Sequence, residues 1–249
     1  MNEKLFEMNL KKHQTLIWVT LFAISMGIFE GAVVVYLREL CYPLGFAFPL
    51  TPIDNHIAIT ELIREFASII MLLSIGFIAG KNFSQRFAWF IYSFAVWDII
   101  YYVFLYAILS WPESLFTWDI LFLLPVTWTG PVIAPVIISC LMILLALTIN
   151  HYNRKSENKV KILRNEWILL ILGSVVVFIS FIWDYSRFLI KNISFDEFKT
   201  KSMSDKLFDL SIKYVPEKFP WLIFILGTVV ICYGVFSIHL RNKKSFRND

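Results

Sequence analysis

Long apolar runs alternate along this chain with short polar or basic stretches. Six runs approach the roughly 20 apolar residues that a helix needs to cross a bilayer. They cover about 15–40, 57–79, 87–109, 131–150, 167–190 and 219–239. Continuous runs of this length exclude the alternating pattern of a membrane β-barrel, and a helix satisfies its own backbone in lipid. The expected fold is all-α, a single six-helix polytopic membrane domain over residues 1–249. The first run is too long for a signal-peptide core and carries Glu30, so it reads as an uncleaved first span.

The connections are of two kinds. Bases gather before the first run (Lys4, Lys11, Lys12), after the second (Lys81, Arg86), after the fourth (Arg154, Lys155, Lys159, Lys161, Arg164) and in the tail (Arg241, Lys243, Lys244, Arg247). In a six-span arrangement these four segments share one side, which the positive-inside rule makes cytoplasmic together with both termini. Trp18, Trp89 and Trp167 each fall just inside that boundary, where an aromatic belt belongs. The other three connections face outward. The first, CYPLGFAFPLTPIDNH, holds three prolines and a glycine and cannot be a regular helix throughout. The second, Ser110 to Gly130, sets Trp111, Phe116, Trp118, Phe122 and Trp128 among prolines. It reads as a short re-entrant or interfacial helix lying on, or dipping into, the outer leaflet. In the third, residues 204–214 read as a short amphipathic surface helix.

Composition agrees with this picture. The chain is 58% hydrophobic with a mean hydropathy of +0.66, well above a soluble domain. The net charge of +4 is modest and its bases sit at loops, which leaves no stripe for a nucleic-acid partner. Cys41, Cys140 and Cys232 share no metal-type spacing and imply no disulfide framework.

Candidate chemistry lies in the acids. Glu30, Glu61, Glu65, Asp98, Asp119 and Asp184 sit inside or beside apolar helices at about the same depth. A carboxylate in hydrocarbon costs several kcal/mol unless paired, protonated or wetted, so it marks a functional site by default. At 1.5 Å per residue, Glu30 lies about 12 Å inward of Arg38, and Glu61 and Glu65 occupy the first turns of the second run. Glu61 and Glu65 are four apart and share a face, with Ser68 one turn on and Arg64 alongside. Asp98 forms a second stripe with Tyr101 and Tyr102. Asp184 and Arg187 stand three apart, a spacing that allows an ion pair. Gly27 and Gly31 form a small-xxx-small notch around Glu30 that lets a neighbouring helix approach. The fourth and sixth runs carry no charge between Pro131 and Thr148 or between Trp221 and Ile238, and read as scaffold.

Glu30, Glu65 and Asp98 are the core catalytic candidates, supported by Glu61 and Asp119. Arg38 and Arg64 are candidates to orient an anionic group, and Tyr101 or Tyr102 to donate hydrogen bonds. A set rich in carboxylates favours a hard divalent cation, with Glu30, Glu61, Glu65 and Asp98 as ligands if a metal binds. Haem and structural zinc do not fit, because His13, His151 and His239 fall at the opposite boundary from His56. Without a metal, crowded carboxylates suit acid–base work or proton relay. Each feature also has a plainer explanation: Arg38 and Glu39 as snorkelling side chains, Glu61 as a helix-dipole partner, the tyrosines as packing.

The segments EGAVVVYLREL, ELIREFASIIMLL, WDIIYY, and WDILFLLP followed by WTGPVIAP resemble a group of bacterial polytopic inner-membrane proteins with no established activity. The resemblance spans roughly 15–140. It matches Glu30, Arg38, Glu39, Glu61, Arg64, Glu65, Trp97, Asp98, Tyr101, Tyr102, Trp118, Asp119 and Pro125 in place. It implies a bacterial cytoplasmic membrane and transfers no mechanism. Three functions stay open: a membrane-embedded enzyme acting on a lipid or other amphiphile, a proton- or cation-coupled transporter, and a subunit whose charges pair with a partner's helices. The acids crowd toward one face, which favours the enzyme, since a transporter needs a polar path to both.

Overall fold

The computed structural model describes residues 2–43, 45–155, 160–193 and 210–248. Six long helices dominate it: α1 (Asn2–Cys41), α2 (Asn55–Ala79), α3 (Phe83–Leu109), α4 (Ile133–Lys155), α5 (Arg164–Asn192) and α6 (Trp221–Asn248). All six hold a segment long and apolar enough to cross a membrane. Large apolar side chains face outward all around the bundle, among them Ile78 and Leu222 at 81% and 85% exposure. Such a surface is stable only against lipid. The chain is a multi-pass integral membrane protein whose helices contact the bilayer.

The central helix is α3, which packs on α1, α2 and α4; α5 pairs with α6, and α6 reaches α4. The Gly27/Gly31 notch does what its spacing predicts. A Cβ on Gly27 would stand 2.8 Å from the Trp97 carbonyl oxygen of α3. A second close approach, between Gly173 of α5 and Gly227 of α6, brings each backbone within 2.9 Å of where the other's Cβ would be. Helix boundaries follow local chemistry. Asn82 accepts from the Gln85 amide at 3.0 Å to cap α3, which ends in the left-handed Ser110 before Pro112. Glu166 accepts from the Leu163 amide at 2.8 Å to start α5, and Arg241 of α6 pairs with the same carboxylate at 2.8 Å.

The second inter-helix connection departs from expectation. It forms an antiparallel β-hairpin, β1 (Trp118–Phe122) and β2 (Trp128–Pro131), rather than a short helix. Three prolines bracket the segment, and Trp, Thr, Ile and Phe fill it, residues that fit a pleated, half-buried surface. The hairpin pairs its own amides, which an irregular loop at that depth cannot do. It plugs one end of the bundle: Phe122 packs on Phe94 and Trp97 of α3, and Trp128 on Phe178 and Phe181 of α5. With an even number of crossings, the α1–α2, α3–α4 and α5–α6 connections share this hairpin end, and both termini lie at the other.

Two further expectations change. Trp18 is exposed at 69%, as an interfacial belt requires, but Trp89 is 5% exposed and sits in the core against Tyr92. Of the surface helix placed at 204–214, residues 204–209 lie outside the described residues, while 210–213 are helical.

Candidate functional site

At the hairpin end lies a cavity of about 390 Å³. Its walls are largely aliphatic and aromatic, from Val34 and Leu37 on α1, Ala58 and Leu62 on α2, Ile120 and Leu123 of the hairpin, and Phe46, Leu50 and Ile53 of the proline-rich loop. Gly45 turns that loop with φ +100°, a conformation open to glycine. The Thr51 amide ties the loop to the Tyr42 hydroxyl at 2.9 Å. Ser211 and Ile212 close the wall from the third connection. The charged lining is Arg38, Glu61, Arg64, Glu65 and Asp119, and Tyr101 is among the hydroxyl-bearing residues beside them.

Each nitrogen of Arg64 meets a carboxylate. Its Nε and Nη2 donate to Glu61 at 2.8 and 2.7 Å, and its Nη1 pairs with Glu30. The other Glu30 oxygen accepts from Ser68 at 3.1 Å. Glu30 and Glu61 are 6% and 8% exposed, so Arg64 offsets, with one positive charge against two carboxylates, charge that water cannot reach. This cluster answers the spacing argument for Glu61, Arg64 and Ser68. All three Arg64 nitrogens are thus engaged with carboxylates, although each Nη carries a second N–H.

Arg38 is differently placed. Its guanidinium stacks over Trp111 at 3.6 Å and Phe46 at 4.5 Å from the ring centroids. Its Nη2 reaches Asp119 at 3.2 Å, and its Nη1 is buried without a hydrogen-bond partner, although the residue is only 7% exposed. Asp119 also accepts from the Tyr102 hydroxyl at 3.2 Å. Burial pushes the Asp119 carboxyl up to about 6 against the opposing pull of Arg38 and the Tyr102 hydrogen bond.

Glu65 is the carboxylate without a counter-charge. Both of its oxygens accept from the Leu123 amide at 3.1 Å, and among the described residues it makes no ion pair. It is 8% exposed and lines the cavity. The hairpin edge thus satisfies one buried amide with a side chain from α2. Tyr101 lines the cavity too, stacked on Tyr102 at 5.0 Å.

Glu30, Glu65 and Asp98, expected to share one cavity, stand in different surroundings. Glu65 alone of the three lines the cavity; Glu30 sits behind Arg64. Asp98 accepts from Ser139 of α4 at 2.8 Å and is not among the residues that line the cavity. Depth sets height along a helix and leaves its rotation open. The metal-ligand set Glu30, Glu61, Glu65 and Asp98 is not assembled either. Among the described residues no three His, Cys, Asp or Glu side chains come close enough to hold a metal ion. Asp184 does not use Arg187. It accepts from the Tyr214 hydroxyl at 2.9 Å and the Glu217 amide at 3.0 Å, anchoring the third connection. Tyr214, 1% exposed, also meets Thr129 of β2 at 2.9 Å, and burial raises its hydroxyl pKa.

Several contributors carried no sequence signal. Trp111 and Phe46 read as loop aromatics; nothing local shows that both meet Arg38. The amide of Leu123 as the partner of Glu65 depends on the hairpin. Comparison with family models, with curated proteins and with solved structures finds no match for this chain.

Proposed function

We propose that this protein is a membrane-embedded enzyme that takes a lipid or other amphiphile into the hairpin-end cavity and acts on its polar head. One observation carries the reading: a cavity of about 390 Å³ has aliphatic walls and ends on arginine, carboxylate and tyrosine side chains. That volume falls in the range of small-molecule sites, and apolar walls with a few convergent polar groups are their usual make-up. Amphiphiles carry the same division. Glu65 and Asp119 are the acid–base groups, each facing the cavity with at most partial charge compensation. Arg38 and Tyr101 orient the head. Arg64, Glu30 and Glu61 hold the wall in shape.

On this reading the hairpin end is the outer face of a bacterial cytoplasmic membrane, and both termini are cytoplasmic, as the loop bases require. A transporter needs a continuation of the cavity to the terminal end. There the space between helices is filled by Val19, Ala88, Trp89, Ile149 and Leu170. A subunit that pairs its charges with a partner needs them turned outward. Glu30, Arg38, Glu61, Glu65 and Asp119 are all under 9% exposed.

The test is incubation of the purified protein with a lipid extract from the membranes that produced it, followed by mass spectrometry of every lipid class. Wild type should deplete one class and accumulate one product, and Ala58→Trp, which fills the cavity from α2, should not. Lipid profiles that stay identical for both proteins would remove the enzyme reading.

A further inference from the structure

The cavity lining holds one cationic residue with a spare donor and one carboxylate without an ion pair. Arg38 presents a buried Nη1 with no acceptor, and Glu65 presents a carboxylate with no cation. The remaining buried polar atoms without partners, on Trp97, Trp128 and Asn150, belong to residues outside the cavity lining. Leaving a charged donor unsatisfied in a buried place is costly, and so is leaving a carboxylate unpaired. Arg64 solved the same problem with two carboxylates. Arg38 and Glu65 face one cavity and do not pair with each other.

We propose that the head group of the amphiphile is zwitterionic, with an oxyanion received by Arg38 Nη1 and the Tyr101 hydroxyl and an ammonium received by Glu65. The inference rests on the amphiphile reading and names its substrate class. A purely anionic head leaves Glu65 unpaired and adds charge to a lining where carboxylates already outnumber arginines. A purely cationic head leaves Arg38 Nη1 without an acceptor. A zwitterion satisfies both without changing the net charge of the site. The planar Arg38 fork, set over the Trp111 ring with Phe46 edge-on to that ring, suits a phosphate or carboxylate oxygen. The Tyr101 hydroxyl makes no hydrogen bond among the described residues and supplies a second donor on the same wall.

The test is a binding series with the full chain in a maltoside detergent. Its ligands are dodecyl phosphoethanolamine, dodecyl phosphate, dodecylammonium, neutral dodecyl glycerol and free phosphoethanolamine. The zwitterion should bind at least about tenfold more tightly than the neutral compound. Glu65→Gln should weaken the zwitterion and the ammonium about tenfold and leave the phosphate unchanged or tighter. Tyr101→Phe, which removes one hydroxyl and keeps the ring, should weaken the zwitterion and the phosphate and leave the ammonium unchanged. Equal affinity for zwitterionic and neutral heads would overturn the zwitterion while the amphiphile reading stood. Free phosphoethanolamine binding as tightly as its dodecyl form would support the charge pair and overturn the amphiphile. Variants that weaken every ligand alike would overturn the assignment of both residues.

Discussion

Replacing Arg64 by glutamine should be among the most destabilising single changes in this protein. Arg64 spends Nε, Nη1 and Nη2 on Glu61 and Glu30, two carboxylates that are 8% and 6% exposed. Glutamine reaches neither with charge, so both acids stay buried with no cation touching them. Breaking a buried pair by removing one partner costs about 3–5 kcal/mol. For a chain of this size that corresponds to a melting point lower by roughly 6–20 °C. The assay is thermal unfolding of the purified protein in one detergent, followed by far-ultraviolet circular dichroism. The triple variant Glu30→Gln, Glu61→Gln, Arg64→Met removes the charges together and should recover most of the loss, because a neutral replacement of a buried ion pair is often tolerated. Glu65→Gln, which keeps an oxygen for the Leu123 amide, should stay within about 1 kcal/mol of wild type. An Arg64→Gln protein that melts with wild type, or a triple variant no better than the single, would refute the structural role of this ion-pair cluster.

Gly227→Ala places a Cβ 2.8 Å from the Val177 amide and should cost about 1–3 kcal/mol in the same melts by pushing α5 from α6. In a background with Cys41, Cys140 and Cys232 replaced by serine, Glu113→Cys should react with an impermeant thiol reagent on intact cells and Lys161→Cys should not. The reverse pattern would invert the topology. Folded Asp119 keeps its proton up to about pH 6, whereas the unfolded chain releases it near the ordinary carboxylate value. Folding therefore takes up a proton in that window, so this residue's contribution to stability falls as pH rises from about 4 to about 6, and is flat above. Asp119→Asn should flatten that part of the stability–pH curve, as chemical denaturation at a series of pH values would show.

The six crossings were legible because hydrocarbon demands about 20 apolar residues per helix, and no tertiary contact is needed to see such a run. The Gly27/Gly31 notch was legible for a similar reason: close approach needs small residues at one helical repeat. Depth brought Glu30, Glu61, Glu65, Asp98, Asp119 and Asp184 to about one level, and of these Glu61, Glu65 and Asp119 line the cavity. Depth could not tell that Asp98 turns toward Ser139 of α4, since neighbouring residues at one height point 100° apart around the helix. The hairpin escaped because its aromatics follow neither a helical nor a strict alternating period, and its register shifts between Ile120 and Phe122. Once that segment was misread, the partner of Glu65 was out of reach, because it is a backbone amide of the hairpin. Trp89 shows the limit of belt reasoning: a tryptophan at interfacial height serves equally well in the core when it faces the bundle.

Photolabelling tests the central claim most directly. An alkyl phosphoethanolamine with a diazirine in its chain would be bound to the purified protein, irradiated, and its adducts mapped by peptide mass spectrometry. The account predicts adducts concentrated on cavity residues such as Leu37, Leu62 and Leu123, abolished by excess unlabelled zwitterion and lost in Ala58→Trp. Adducts spread over lipid-facing positions such as Ile78 and Leu222, unaffected by competitor or by Ala58→Trp, would contradict it.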